Sequence, residues 1–340
     1  MTALPPLSIH PGFRLRRNPH RVVSMSAPDS RSQYHQPVLV AEVVEWLAPR
    51  AGQIFVDGTL GGGGHAAALL AAGAEVIGLD QDREAIAEAT ARLAAAGRQF
   101  RAVRTNFAEV DMALDALGIA QIDGALLDLG VSSHQLDEPT RGFSFQTSGP
   151  LDMRMDDRLP RTAADLVNSL GGAELERIFF TYGEEPAARR ITARLVRDRL
   201  TRPFTTTDQL AAAVESVVPR HGRAHPATRV FQALRMAVNG ELEALELGLE
   251  RFAARLAPGG RLGVITFHSI EDRVVKHCFK RRSTPMLDRP EWPEARPNPD
   301  CIFRLLTRKA LTAGADELQA NPRARSAKLR VVERNPGHGR

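Results

Sequence analysis

Four consecutive glycines, Gly61 to Gly64, stand between an apolar run, Gln53 to Asp57, and an alanine-rich run, Ala66 to Ala72. The first run reads as a strand and the second as a helix. Glycines at such a junction let a backbone approach a ligand closely, at the place where a doubly wound sheet binds one. The segment Asp57-Gly-Thr-Leu-Gly-Gly-Gly-Gly-His65 lacks both the G-x-G-x-x-G spacing of a dinucleotide site and the Lys-Ser/Thr ending of a Walker loop. Asp80 closes the next apolar run, at the separation of about 20 residues where a carboxylate accepts hydrogen bonds from a ribose diol. Its other reading is an N-cap of the following helix. Asp57 and Asp128 end two further strand-like runs on the same rim, each with an ordinary reading as a turn carboxylate. A ribose-bearing ligand with no pyrophosphate site points to S-adenosylmethionine, whose positive sulfonium and ammonium suit acidic surroundings.

Those residues need a sheet to carry them. Helix Val38 to Leu47 is followed by strand Gln53–Asp57, helix Ala66–Ala72, strand Glu75–Asp80, helix Arg83–Ala96, strand Phe100–Arg104, a helix near Val110–Leu117 and strand Gly124–Asp128. Strands alternating with helices predict an α/β fold with a doubly wound, mostly parallel sheet. The alternation then stops. A polar, glycine-rich stretch (133–160) leads to helices at Ala163–Ser169, Ala173–Thr181, Pro186–Leu200 and Thr207–Val217, then a long helix Arg229–Leu256 and the strand Arg261–Phe267. An all-helical stretch between two sheet strands reads as an inserted domain. After a helix at Glu271–Arg281 and a proline-rich loop, Cys301–Lys309 and Ala327–Glu333 read as an antiparallel edge hairpin. The expected organisation is a disordered leader (1–33), a sheet domain made of 34–135 and 236–340, and an inserted helical domain (136–235).

Hydrophobic residues at 43% and charged residues at 25% of the 340 exclude a disordered or collagen-like chain. No apolar run reaches the ~18 residues of a membrane span, and no signal peptide is evident. Two cysteines, Cys278 and Cys301, build no disulfide framework or zinc cluster, which predicts a cytoplasmic protein and no metal. The net charge of +5 belongs to the ends. Residues 1–33 carry five arginines against Asp29, and residues 321–340 carry six basic residues against Glu333. Basic ends are either solvated tails or contacts for a polyanion.

Nine segments in order resemble one family. They are HQPVL from His35, VDGTLGGGGH from Val56, LDQD from Leu79, LLDLGVSSHQLD from Leu126, RGFSFQTSGPLDMRMD from Arg141, YGEE from Tyr182, HPATRVFQALRMAVNGELEALE from His225, APGGRLGVITFHSIEDRVVK from Ala257 and NPRARSAKLRVVER from Asn321. From about Tyr34 to Arg334 the chain resembles the bacterial ribosomal RNA small-subunit methyltransferase H family, also called MraW. The resemblance implies a Rossmann-like class I methyltransferase domain with a helical insert. It also implies S-adenosylmethionine-dependent N4-methylation of a cytidine in the decoding region of small-subunit (16S) ribosomal RNA. The cofactor contacts it implies are Gly63, Gly64, His65, Asp80, Phe107, Asp128 and Gln135. His134 departs from the family, whose members usually carry proline there.

Methyl transfer from a sulfonium is an in-line displacement that needs alignment and no covalent nucleophile. The exocyclic amine of cytosine is a poor nucleophile, so acceptors in Asp128–Ser133, Asp128 foremost, are expected to hold it, with Phe143 or Phe145 stacking on the base. The insert, with Arg189, Arg190, Arg194, Arg197, Arg199 and Arg202 close together and Arg220, Arg223 and Arg229 around His225, is the expected grip on RNA. His268 and Ser269 are placed on the substrate side. A hydrolase triad is excluded by the missing nucleophile elbow, and a nicotinamide oxidoreductase by the glycine spacing. An assembly factor that keeps the fold without catalysis, and a DNA N4-cytosine methyltransferase, are the remaining alternatives. The latter is disfavoured by the absence of an Asp-Pro-Pro-Tyr segment.

Overall fold

The structure, a computed structural model, describes residues 37–220, 225–288 and 290–337. The leader assigned to 1–33, together with His35 and Arg223, lies outside them.

Seven strands form the main sheet: β1 (Ile54–Asp57), β2 (Glu75–Asp80), β3 (Phe100–Arg104), β4 (Ile122–Asp128), β5 (Leu256–Thr266), β8 (Phe303–Leu305) and β9 (Lys328–Arg334). A separate two-stranded ribbon, β6 (Met286–Leu287) with β7 (Arg296–Pro297), occupies the proline-rich loop. The main order is β3-β2-β1-β4-β5-β9-β8. β1 to β5 run parallel, whereas β9 is antiparallel to both β5 and β8. The expected hairpin therefore forms, with β9 wedged against β5.

Successive strand residues point to opposite faces, and here both faces are apolar, as a covered parallel sheet requires. Phe55, Val76, Leu126, Ile265 and Leu329 pack with α1 (Val40–Leu47), α2 (Gly64–Ala71) and α3 (Arg83–Arg92). Val56, Ile77, Leu79, Leu127 and Val264 pack on the other side with α4 (Val110–Ala116), α11 (Glu241–Arg255) and α12 (Ser269–Ser283). The strand order reverses between β1 and β4, which opens a crevice at their carboxyl ends. Asp57, Asp80 and Asp128 all sit at strand ends on that edge.

A third apolar cluster is built from α6 (Ala163–Ser169), α7 (Gly172–Gly183), α8 (Ala188–Asp198), α9 (Thr207–Glu215) and α10 (Thr228–Asn239), joined by Phe143, Leu151 and Met153 from the preceding loops. The single helix expected over Arg229–Leu256 is two helices. Gly240, at φ 59, donates its N–H to Met236 as the C-cap of α10 and opens α11 on the next residue. The chain thereby turns from the helical cluster, which α10 joins, to the sheet, which α11 covers. β5 begins at Leu256, five residues before the expected strand. Its pairing with β4 shifts register between Ile122 and Gly124, and this absorbs the Pro258-Gly-Gly turn. The polar stretch after β4 holds a short helix, α5 (Ser133–Asp137), and α13 (Ala315–Ala320) lies between β8 and β9.

Candidate functional site

A cleft opens over the carboxyl ends of β1, β2 and β4. Of the seven expected contact residues, Gly64, His65, Asp80, Phe107, Asp128 and Gln135 line it. Gly63 stands behind the wall. Its φ of 74 favours glycine, and a Cβ there would meet Leu93 Cδ1 at 3.0 Å and Ala89 Cβ at 3.3 Å, so it packs toward α3 and starts α2.

Asp80 is held by two backbone donors. The Gly61 N–H reaches its Oδ2 and the Asp82 N–H its Oδ1, each at 2.9 Å. A carboxylate has about four acceptor positions, so two remain for a ligand diol. The N-cap of α3 is Asp82, which accepts from the Glu84 N–H at 3.0 Å, so Asp80 is not spent on that task. Burial pushes the Asp80 carboxyl up to about 6 despite those two donors. Close by, Asn106 Nδ2 donates to Gln81 Oε1 at 3.0 Å, and Phe107 opens the turn that follows β3. Phe107 is half-buried, lines the cleft on the β3 side, and packs its ring close against Gly248 of α11.

At the β1 end, Asp57, His65 and Asp128 form a buried acidic group. His65 Nε2 lies 2.8 Å from the Val38 carbonyl, which can only accept, so that nitrogen carries the proton. Its Nδ1 is 3.7 Å from Asp128 Oδ2. The Asp128 N–H donates to Thr59 Oγ1 at 2.6 Å, fixing the strand end against the glycine turn. Asp57 Oδ2 is buried with no hydrogen-bond partner, and burial pushes this carboxyl to about 6. Asp57 lies behind the cleft wall, while Asp128 and the amino end of α2 at Gly64 and His65 line the cleft, an arrangement that suits a ligand with both a cationic and an anionic end.

Gln135 is already engaged. Its Nε2 donates to Asp82 Oδ2 at 2.8 Å and its Oε1 accepts from the Ser132 N–H at 3.0 Å, which completes a capping box with the Ser132 hydroxyl. It therefore lines the cleft by bracing the loop after β4 against the loop after β2. Arg141 joins the same brace at 2.8 Å from Asp82 Oδ2, and its guanidinium also donates to the carbonyls of Arg154 and Met155. His134, which takes the place of the family proline, sits 3.0 Å from Glu84 Oε2. Within the segment Asp152–Arg158, Met155 lines the cleft, and Gln81 Nε2 lies 3.3 Å from its sulfur. Arg104 pairs with Asp156 and Asp157, and Arg154 with Asp152 at 2.8 Å.

The opposite wall was not legible as a site. Asn239, Glu241 and Glu271 line it. Asn239 donates to the Met153 carbonyl and accepts from the Met155 N–H, both at 2.8 Å, tying the end of α10 to the segment that carries Met155 into the cleft lining. Arg235 pairs with Glu241 through two hydrogen bonds of 2.7 and 2.8 Å and lies 3.9 Å from Glu271. His268 Nε2 is 2.8 Å from Glu271 Oε1, and with Arg235 it holds that carboxyl below its ordinary value in spite of burial. Burial instead raises Glu241. His268 thus belongs to a buried charge cluster rather than facing open solvent. Ser269 Oγ donates to Glu184 at 2.7 Å. The only signal in the sequence was the Asn-Gly pair that breaks the helix.

The two phenylalanines expected to stack on a base are elsewhere. Phe143 is buried in the helical core. Phe145 packs on His225 and Phe231 with ring centroids at 4.6 and 4.8 Å, and neither Phe143 nor Phe145 lines the cleft. The arginines of the insert also divide. Arg194 and Arg197 pair with Asp198, and Arg199 donates to the Val167 carbonyl. Arg189, Arg190 and Arg202 are exposed and have no acidic partner among the described residues.

A seven-stranded sheet of this order, with one antiparallel strand beside β5 and a glycine turn and acidic strand ends beneath a cleft at the switch point, is a Rossmann-like α/β fold. The model of the MraW methylase family matches residues 32–335, and the chain belongs to that family. It is 52% identical over 304 residues to the ribosomal RNA small subunit methyltransferase H of Anaeromyxobacter dehalogenans, covering 88% of this chain and 97% of that one. To the protein of that name from Syntrophotalea carbinolica it is 51% identical over 306 residues, covering 88% and 98%. Among solved structures, an rRNA methylase from Streptococcus thermophilus covers 87% of this chain and 93% of its own, with 13% identity and a TM-score of 0.39.

Proposed function

We propose that this protein uses S-adenosylmethionine to methylate N4 of a cytidine in the decoding region of small-subunit ribosomal RNA, in the cytoplasm. The observation that carries the reading is one cleft with two different ends. One has a fixed carboxylate (Asp80) beside a ring (Phe107), and the other has the loop Asp128–Ser132 open toward a polar wall. Membership of a methylase family and the curated relatives' name support the substrate class.

The residues present fit the donor. Asp80 would take the ribose hydroxyls, Phe107 the adenine face, and the amino end of α2 at Gly64 the carboxylate. The carboxylate of Asp128, which lines the cleft, would face the positive groups, with the buried Asp57 carboxyl behind it adding to the negative field. Bound there, S-adenosylmethionine supplies a methyl group activated by its sulfonium. The protein then has to hold the amine in line, and such positioning supplies ~7–11 kcal/mol. Asp128 is the acceptor assigned to an amine N–H, which leaves the nitrogen lone pair free to attack. Residues 136–235, with Arg189, Arg190 and Arg202 outermost, would grip the RNA while the base is turned out of its stack.

Asp128→Asn separates the roles. With the donor saturating, single-turnover methylation of small ribosomal subunits is expected to slow by roughly 10²–10⁴-fold, while calorimetry with S-adenosylhomocysteine, which keeps the ammonium and lacks the sulfonium, shows only the roughly 10-fold loss of one charged contact. Unchanged turnover in that variant would remove Asp128 from the chemistry.

A further inference from the structure

Two aromatic side chains besides His65 line the cleft, and they stand at different ends. Phe107 borders Asn106 and lies near Asp80. Phe267 is the first residue after β5, next to the strand that carries Asp128. Its ring is beside the loop after β4: a Cβ built on Gly130 would lie 3.6 Å from Phe267 Cδ2. The ring is half-buried, packed on one side against the core beneath β5 and bordering the cleft on the other.

The backbone at this point is anchored. The Phe267 N–H donates to Glu271 Oε2 at 2.9 Å, and Glu271 is in turn held by His268 at 2.8 Å, with Arg235 at 3.9 Å. The polar groups of the far wall thus fix the residue that carries the ring, a rigid support that a stacking surface needs. Phe143 and Phe145 are both committed to the helical core.

Resting on the methyltransferase reading above, we propose that Phe267 is the platform on which the acceptor pyrimidine lies, its exocyclic amine directed at the Asp128–Ser132 loop. Phe107 and Phe267 then divide the cleft between two bases, the donor's adenine and the target's pyrimidine. The ring takes the place of the aromatic residue absent from the loop after β4, and it is supplied by the neighbouring strand. Base–aromatic stacking tolerates any flat ring, so Phe267 sets the position of the base, while discrimination of cytosine falls to the polar groups around it.

The test compares Phe267→Leu and Phe267→Tyr with the wild-type chain in two assays, S-adenosylhomocysteine calorimetry and single-turnover methylation of purified small ribosomal subunits. Phe267→Leu should bind the by-product as the wild type does yet methylate roughly 10- to 100-fold more slowly, whereas Phe267→Tyr, which keeps a π face, stays near wild type. Should the Leu variant melt early, Phe267→Met carries the same comparison with a more adaptable apolar chain. Methylation by the Leu variant within about twofold of wild type would overturn the proposal, as would a parallel loss of by-product binding, which would place the ring at the donor instead. A wild-type chain that binds the by-product but labels no pyrimidine would overturn the functional reading, and this proposal with it.

Discussion

In the proposed reading Asp80 takes the ribose of the donor, and its chemistry has a testable sign. Burial raises the carboxyls of Asp80 and Asp57 from 3.8 to about 6. Between those two pH values the empty folded protein therefore holds more protons than the unfolded chain, so its stability falls as pH rises through that window. The donor behaves oppositely. Ribose hydroxyls and positive groups favour the ionised carboxylates, so binding releases protons, and affinity rises up to about pH 6 and is flat above it. Calorimetry with S-adenosylhomocysteine at pH 5 and pH 7.5 should show about tenfold weaker binding at the lower pH for each such group engaged. Asp80→Asn should weaken binding at pH 7.5 by roughly 10- to 100-fold, the loss expected for hydrogen bonds to a charged group, and flatten the remaining pH dependence. Affinity equal at both pH values in the wild type would place the diol elsewhere. The place of Asp80 in the cleft was legible because its spacing from the glycine turn is set by the length of a strand-turn-helix unit. Gln135 was legible only as a member of the cleft. Its amide turns inward to Asp82 and Ser132, and nothing in a linear sequence announces such a tertiary partner.

Among the elements, the junction of α10 and α11 matters most. Asn239 bridges the Met153 carbonyl, the Met155 N–H and the Arg235 carbonyl, all at 2.8 Å, from a nearly buried position. Asn239→Ala would strand two buried backbone groups beside Met155 in the cleft wall, at a cost of roughly 2–4 kcal/mol. The variant should melt at a lower temperature and admit protease at the Asp152–Arg158 segment. An unchanged melting temperature would mean that the segment is held by its ion pairs alone. The sheet elements were readable because their apolar runs alternate with helices: β3 and α6 fall where the pattern puts them. The long helix was misread because apolar spacing continues across Asn239-Gly240, while the change of partner from helical cluster to sheet is a property of the fold. The stacking phenylalanines were misplaced for a related reason. Phe143 and Phe145 stand in a polar stretch that looks like a loop, yet that stretch folds back onto the helical core, which needs their volume.

For the whole molecule, charge is more consequential in its placement than in its sum. Several arginines that looked available for RNA are tied to acids or carbonyls of the insert itself, as Arg194, Arg197 and Arg199 are. No helix among the described residues is long and apolar enough to cross a membrane. With Arg189 and Arg190 exposed and lacking acidic partners among the described residues, their joint replacement by alanine should flatten the plot of log affinity against log salt by roughly 1.4 units if each meets a single-stranded phosphate. An unaltered slope would move the phosphate contacts off α8. The central claim is tested most directly by giving the purified protein methyl-labelled S-adenosylmethionine and small ribosomal subunits, then digesting the RNA to nucleosides for mass spectrometry. Label in N4-methylcytidine, from one position in the decoding region, is the predicted result. Label in any other nucleoside, or none while S-adenosylhomocysteine still binds the cleft, would contradict it.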